Sequence, residues 1–446
     1  MKRRYLTLLG LMVALLLLVG ACGSDDDEGA GGGTTAAETT GDTTAAEPVS
    51  GSIAFTGVWT GDEQKFFQAV IDAFEEKNPD ATVKYTAGGD NIVTVLSTAV
   101  EGGNPPEMAS LAQPGVVADF AKRDALQPLD FVADAITENF GQSILDVGST
   151  DGTPYGLLFK AANKSTVWYN VAAFEEAGVE PPETWDDFLA AAKTINESGL
   201  PAYSIGGADG WTLTDLFENI YIRTAGVEKY DQLTTHEIPW TDQSVKDALT
   251  EMAKVVGDVD NIAGGQAGAL QTDFPTSVTN VFSKTPKAAQ VIEGDFVPGV
   301  AGEGNPLEPE TGFNVFSFPS INDSEPAVVG GGDLVVMFED NPVAKAFMEF
   351  LTTPEAGEVR AKLGGYSSAN KNVDESVYPD PIQRETAAGL ASAEIFRFDL
   401  SDLQPSEFGG TVGQGLFKLF QDFLKNPDDI DGITTQMEAA AAKAFG

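Results

Sequence analysis

The stretch GSIAFTGVWTGDEQKFFQAVIDAFEEKNPDATVKY, residues 51–85, carries the pattern that decides the fold. Ile53 and Phe55 alternate with small or polar neighbours across residues 52–58, the period of a strand. Phe66, Phe67, Val70, Ile71 and Phe74 then share one helical face, and Asn78-Pro79 ends the run. Thr60 and Glu63 have the spacing of a capping box at the helix start. Val83 and Tyr85 open a second strand. Downstream the unit repeats: residues 92–100 read as a helix stopped by Gly102-Gly103-Asn104-Pro105-Pro106, and residues 108–112 as a short buried strand leading to Gln113-Pro114-Gly115. Residues 118–123 form the next helix. Strands alternating with helices predict a mostly parallel sheet. Ligands of such sheets sit beyond the carboxyl ends of the strands.

Upstream, Lys2, Arg3 and Arg4 precede an apolar run over residues 6–21, which closes in Val19-Gly20-Ala21 before Cys22, the one cysteine of 446 residues. Residues 1–21 read as a secretory signal peptide. A cysteine at the cut site resembles the bacterial lipobox, in which the thiol is acylated and becomes the new N-terminus. The alternative is an uncleaved anchor, but the apolar run is short for a span of about 20 residues. Residues 22–50 hold Gly, Thr, Ala, Asp and Glu with almost no large apolar side chain, the composition of a disordered acidic tether. The expectation is an exported protein anchored to the cell membrane as a lipoprotein, on the extracytoplasmic face.

Charge narrows the function. Twenty-six basic residues stand against 68 acidic ones, a formal charge of −42, and the leader carries away three of the positive charges. Phosphate backbones repel such a surface, which excludes nucleic acid as a partner and basic-patch binding to anionic lipid. With Cys22 acylated no thiol is left for disulfides, thiolate catalysis or metal ligation. His236 is the sole histidine, so a zinc site built on a His pair is excluded, and a Ser-His-Asp triad could form only around it. No Gly-Lys dipeptide, hence no phosphate loop, and no GxSxG elbow occurs. Asp429, Asp431, Gly432 and Glu438 fit four positions of a calcium loop, but Pro427 stands where the first ligand belongs; they read as an acidic helix start. No metal and no cofactor is expected.

The body is too long for one small core and predicts two domains, yet no second low-complexity linker divides it. Two lobes interleaved along the chain would explain this. Thr153-Pro154-Tyr155-Gly156-Leu157 and Lys164-Ser165-Thr166-Val167-Trp168-Tyr169-Asn170 come next, followed by Phe174, Gly178, Pro181-Pro182, Thr184-Trp185 and Phe188. These blocks resemble the extracellular solute-binding proteins of carbohydrate ABC importers, the maltose-binding-protein-like family. So do residues 289–296, ending Glu293-Gly294-Asp295-Phe296, and Gly330-Gly331-Gly332-Asp333-Leu334 with its helix over 342–351. Residues 211–230 and 236–241 look most like the α-glucoside-binding branch. The resemblance implies a periplasmic-binding-protein-like α/β fold, two interleaved lobes joined by a multi-strand hinge. It places lobe one at 51–162 and 330–364, and lobe two at 163–329 and 365–446. It further implies a monomer without catalysis, which closes on a sugar and presents it to the permease subunits of an importer.

The tryptophans divide. Trp168 lies in a buried strand, Trp185 on the apolar face of a helix capped by Thr184, and Trp240 beside the helix of Val245, Leu249, Met252 and Val256; all three read as packing. Trp59 and Trp211 instead fall in polar, glycine-containing loops between strand and helix, and Thr212 to Asp215 has capping spacing. An exposed indole packs on the C–H face of a hexose, while the hydroxyl edge wants carboxylates and amides; Asp62, Glu63 and Asp209 are at hand. The resemblance and loop position add Gln113, Gly331, Gly332 and Asp333 in lobe one, and Glu293, Asp295 and Phe296 in lobe two. Two other classes stay open. Paired carboxylates would serve a secreted glycoside hydrolase, and carboxylates with aromatics would serve a polyamine receptor.

Overall fold

A computed structural model describes residues 49–301 and 308–446 of the chain; the leader, Cys22 and most of the tether lie outside these. Within them the first three strands are β1 (Gly51–Gly57), β2 (Ala81–Ala87) and β3 (Met108–Leu111). A short ribbon, β4 (Ser149–Thr150) with β5 (Thr153–Pro154), leads into β6 (Gly156–Asn163) and β7 (Thr166–Asn170). Then come β8 (Gln290–Ile292), β9 (Phe313–Ser317), β10 (Val328–Met337), β11 (Ser367–Ser368) and β12 (Phe396–Phe398).

The larger sheet runs β11-β6-β10-β3-β1-β2, with β12 on the end of β10. The opening βαβ units form as the periodicity requires: β1 pairs in parallel with β2 and β3, and the Gly61–Lys77 helix buries Phe67, Val70, Ile71 and Phe74. The expectation of a mostly parallel sheet is corrected, however. β10 runs antiparallel to both β3 and β6, and β11 antiparallel to β6. A helical crossover fixes a common direction only for the strands it connects. β10 returns instead from the second block of the chain and enters the sheet from the opposite end. Both faces of the sheet are covered, one by a core including Phe55, Phe67, Phe74 and Phe347, the other by one including Leu96, Phe120, Leu334 and Val336.

The smaller sheet, β8-β7-β9, is antiparallel throughout. Trp168 is fully buried in it and stacks on Phe313, ring centroids 6.0 Å apart. Trp185 packs on Phe188 and Phe318, and its Nε1 donates to Glu251 Oε2 at 2.8 Å. Trp240 is fully buried against Phe217 and Phe408. All three indoles are packing residues, as expected. The chain passes between the two sheets side by side: Lys164 N donates to Val329 O at 2.9 Å, and Asp399 N to Gly330 O at 2.7 Å.

Local chemistry overrides three spacing arguments. No capping box forms at Thr60: its side chain makes no cap, and the Glu63 carboxylate, which would bond back to the Thr60 N–H, goes to Lys160 Nζ, 2.7 Å away. Thr212 donates to Gly206 O and Asp215 turns to Lys164, so the Trp211–Ala225 helix starts on Gly210 without a side-chain cap. The helix expected at 118–123 begins four residues earlier, at Pro114, where proline's fixed φ and missing N–H suit the first helical position. The acidic 429–438 segment is a helix start: Asp429 accepts from Gly432 N at 3.1 Å, while Glu438 accepts from Trp240 N at 2.7 Å.

Candidate functional site

The carboxyl ends of β1 and β3, the turn after β2 and the middle of β10 open on one cavity of about 210 Å³. Its polar wall is organised by Lys160, which is buried on β6. Lys160 Nζ lies 2.7 Å from Glu63 Oε1 and 3.6 Å from Asp333 Oδ2. Burial works against the ammonium, but Glu63 and Asp333 outweigh it and hold the proton more firmly than in an ordinary lysine. Asp333 Oδ2 also accepts from Trp59 Nε1 at 2.7 Å. Trp59 packs its ring 4.4 Å from the Phe67 ring and is 4% exposed, so this indole is largely core. Asp62, Asp90 and Gln113 complete the wall; the Gln113 Oε1 is buried without a protein partner.

Facing it is an apolar wall of three rings. Trp211 and Phe274 have centroids 5.2 Å apart, Phe274 and Phe296 5.3 Å, Trp211 and Phe296 6.1 Å, all steeply inclined. Phe417 closes one side. The loop before Trp211 needs its glycine: Gly210 has φ +89°, and a Cβ there would lie 2.6 Å from the Phe417 Cβ. Lys160 stands 4.9 Å from the Phe296 centroid and Lys164 5.6 Å from that of Trp211.

Of the residues singled out in the sequence, Trp59, Asp62, Glu63, Gln113, Trp211, Phe296, Gly332 and Asp333 line this cavity. Asp209, Glu293, Asp295 and Gly331 stand behind it. Asp209 Oδ2 accepts from Phe274 N at 2.6 Å, fixing the start of the helix that carries that ring. Burial, with the charge of Asp90 next in weight, pushes the Asp209 carboxyl up to about 7. Asp295 accepts from Ser367 Oγ at 2.5 Å, and burial pushes it up to about 6. Glu293 is buried beside Tyr203 and Thr212 in a separate small hollow of about 10 Å³. Gly331 makes room for the Lys164 side chain, since a Cβ would sit 2.7 Å from its Cε.

Sequence reasoning missed Lys160, Lys164, Asp90, Phe274, Asp402 and Phe417. Lys160 sits in a buried strand, where periodicity announces only core. Phe274 follows Asp273 at a helix start and reads as packing. Asp402 and Phe417 reach the cavity from the last fifth of the chain, by contacts with no local signature.

A mixed α/β sheet whose strand ends and loops wall a cavity from one side, with a ring cluster on the other, defines a ligand-capturing receptor. The chain belongs to the bacterial extracellular solute-binding protein family, whose model it matches over residues 57–358. It is 34% identical to the osmoprotective compounds-binding protein GgtB of Synechocystis sp. over 374 residues, 82% of this chain and 86% of that one. It is also 34% identical to the alpha-glucosides-binding periplasmic protein AglE of Rhizobium meliloti over 381 residues, 82% of this chain and 81% of that one. Among solved structures, the bacterial solute receptor AcbH superposes with a TM-score of 0.77 at 20% identity, covering 89% of this chain and 99% of that one. The receptor RafE in complex with raffinose superposes at 0.72 and 19% identity, covering 89% and 100%. Among the described residues, no helix is long and apolar enough to cross a membrane.

Proposed function

We propose that this protein is the sugar receptor of an ABC importer, binding an α-glucoside or related oligosaccharide in the cavity above. The observation that carries the reading is the cavity's two-sided chemistry. An apolar wall of Trp211, Phe274 and Phe296 suits the C–H face of a pyranose, and Asp62, Glu63, Asp90, Gln113 and Asp333 across from it suit the hydroxyl edge. The 34% identity to an alpha-glucosides-binding protein supports the same class. In this reading residues 51–162 with 330–364, and 163–329 with 365–446, act as two lobes that close on the sugar, and the closed form is what the permease subunits distinguish. Cys22, acylated, anchors the receptor to the membrane through its acidic tether. Glu63 and Asp333 share one ammonium rather than forming the separate acid and base of a hydrolase.

Asp90 supports a second reading. Among the described residues it has no hydrogen-bond or ion partner, and a free carboxylate beside aromatic rings also suits a polyamine. Calorimetry with maltose, trehalose and spermidine separates the two. Saturable heat from a glucoside and none from spermidine supports the sugar receptor; heat from spermidine alone overturns it, and turnover of an aryl glucoside would make the protein an enzyme.

A further inference from the structure

Lys164 is the first residue after β6, on a chain pass between the two sheets, and 8% of its surface is exposed. Its Nζ lies 3.1 Å from Asp215 Oδ1 and 3.7 Å from Asp402 Oδ2, and is hydrogen-bonded to Asp399 Oδ2. Those carboxylates stand on two segments, Asp215 on one and Asp399 with Asp402 on the other. Asp215 is one helical turn beyond Trp211 on the Trp211–Ala225 helix, so carboxylate and indole share a face. Asp399 belongs to the pass whose backbone bonds Gly330 O. The same ammonium stands 5.6 Å from the centroid of the Trp211 ring. Two parts of the chain thus meet at one atom: the helix that carries both Asp215 and the ring of the cavity wall, and the passes that join the sheets. Gly331 is bare where the lysine side chain crosses it.

We infer that Lys164 is the positioning residue of the Trp211 platform, clamping ring and helix to the passes between the sheets. A cation over one face of an indole leaves the other face and edge for the ligand and limits the ring's rotation. Charge balance explains how one lysine serves several buried carboxyls. Burial pushes Asp215, Glu218 and Asp402 towards their protonated forms. Asp399, although buried, is drawn down by Lys164 and by its hydrogen bonds, so lysine and Asp399 form the ionised pair. Replacing that pair together by neutral side chains removes the clamp without stranding a charge.

This assignment rests on Trp211 being a ligand platform, but its test uses the unliganded protein. Trp59, Trp168, Trp185 and Trp240 are each at most 4% exposed, so acrylamide quenching of tryptophan fluorescence reports mainly on Trp211; Trp211→Phe serves as the blank. In Lys164→Met/Asp399→Asn the quenching constant should rise, because the ring loses the cation that holds it in place. Lys164→Arg, which keeps a cation, should restore the native value. Asp215→Asn, a milder change, should raise quenching as well and decides the matter if the double variant fails to fold. A merely structural lysine would shift the melting temperature alone. Native quenching in every folded member of the set overturns the assignment. Should trehalose or maltose bind, the double variant should weaken its Kd about tenfold. Should neither bind, the sugar reading fails while the quenching result still stands.

Discussion

Lys160 holds two carboxylates from different elements in one place, Glu63 from the first helix and Asp333 from β10. Lys160→Met would leave them facing each other without a cation, at a cost of about 3 kcal/mol, since breaking a buried pair strands the remaining charge. Urea denaturation of the single variant and of Lys160→Met/Glu63→Gln checks this: the double should recover much of the loss, and an unchanged midpoint in the single would show that solvent screens the triad. Trp211→Ala addresses the other wall. The ring is half-buried against Phe274 and Phe296, so its removal should cost the folded protein less than the about 3–5 kcal/mol of a core tryptophan. It should cost sugar binding about 1–3 kcal/mol. Calorimetry beside thermal melts separates these, and a large drop in melting temperature with native affinity would make Trp211 a packing residue. Trp211 could be singled out in the sequence because a polar glycine loop before a helix leaves an indole nothing local to pack on. Lys160 could not, since its meaning comes from Glu63 and Asp333, 97 and 173 positions away.

At the level of elements, the meeting of β6 and β10 is the sensitive point. Their register shifts between Asp333 and Leu334, and a Cβ on Gly332 would lie 2.1 Å from Lys160 O. Gly332→Ala should therefore lower stability by about 1–3 kcal/mol and move the strand that carries Lys160. Gly389→Ala is the control, at a helix position where a Cβ meets nothing within 4 Å; it should gain about 0.5–1 kcal/mol. Equal melting temperatures for the two variants would refute the close-approach argument. The start of the Phe274–Phe282 helix carries a pH dependence. The folded Asp209 carboxyl titrates near 7 against 3.8 for an ordinary aspartate, so the folded state keeps a proton that the unfolded chain releases. Its stabilising contribution is complete below about pH 4 and is lost as pH rises through 7. Asp209→Asn keeps an oxygen for Phe274 N and should flatten that part of the stability profile; a wild-type slope in the variant between pH 4.5 and 7.5 would count against it.

For the whole molecule, the proposed acylation of Cys22 concerns where the receptor is held rather than how it folds. Cys22→Ser should release a soluble or misprocessed protein from the membrane while leaving ligand binding intact. Detergent partitioning and calorimetry on the same preparation test this, and a variant that still partitions as a mature lipoprotein would remove the anchor.

What the sequence determined by itself is whatever local period and composition control. The 51–87 unit, the short buried strand at Met108–Leu111, the Pro342–Leu351 helix and the packing roles of Trp168, Trp185 and Trp240 all follow from side-chain spacing over fewer than about 20 residues, whereas Trp59, expected to face the crevice from its loop, is 4% exposed and packs on Phe67. Eight of the twelve candidate ligand residues line the cavity: Trp59, Asp62, Glu63 and Trp211 stand in or beside strand-to-helix loops, where such sheets open, while Gln113, Phe296, Gly332 and Asp333 enter with the family resemblance. The tertiary structure alone decided the direction of β10, the placing of Asp209, Glu293, Asp295 and Gly331 behind the wall, and the part played by Lys160, Lys164, Phe274 and Asp402. Each of these depends on charges or backbones brought together from distant parts of the chain. A buried ammonium redirects any carboxylate within reach, whatever cap or turn the local spacing would otherwise make.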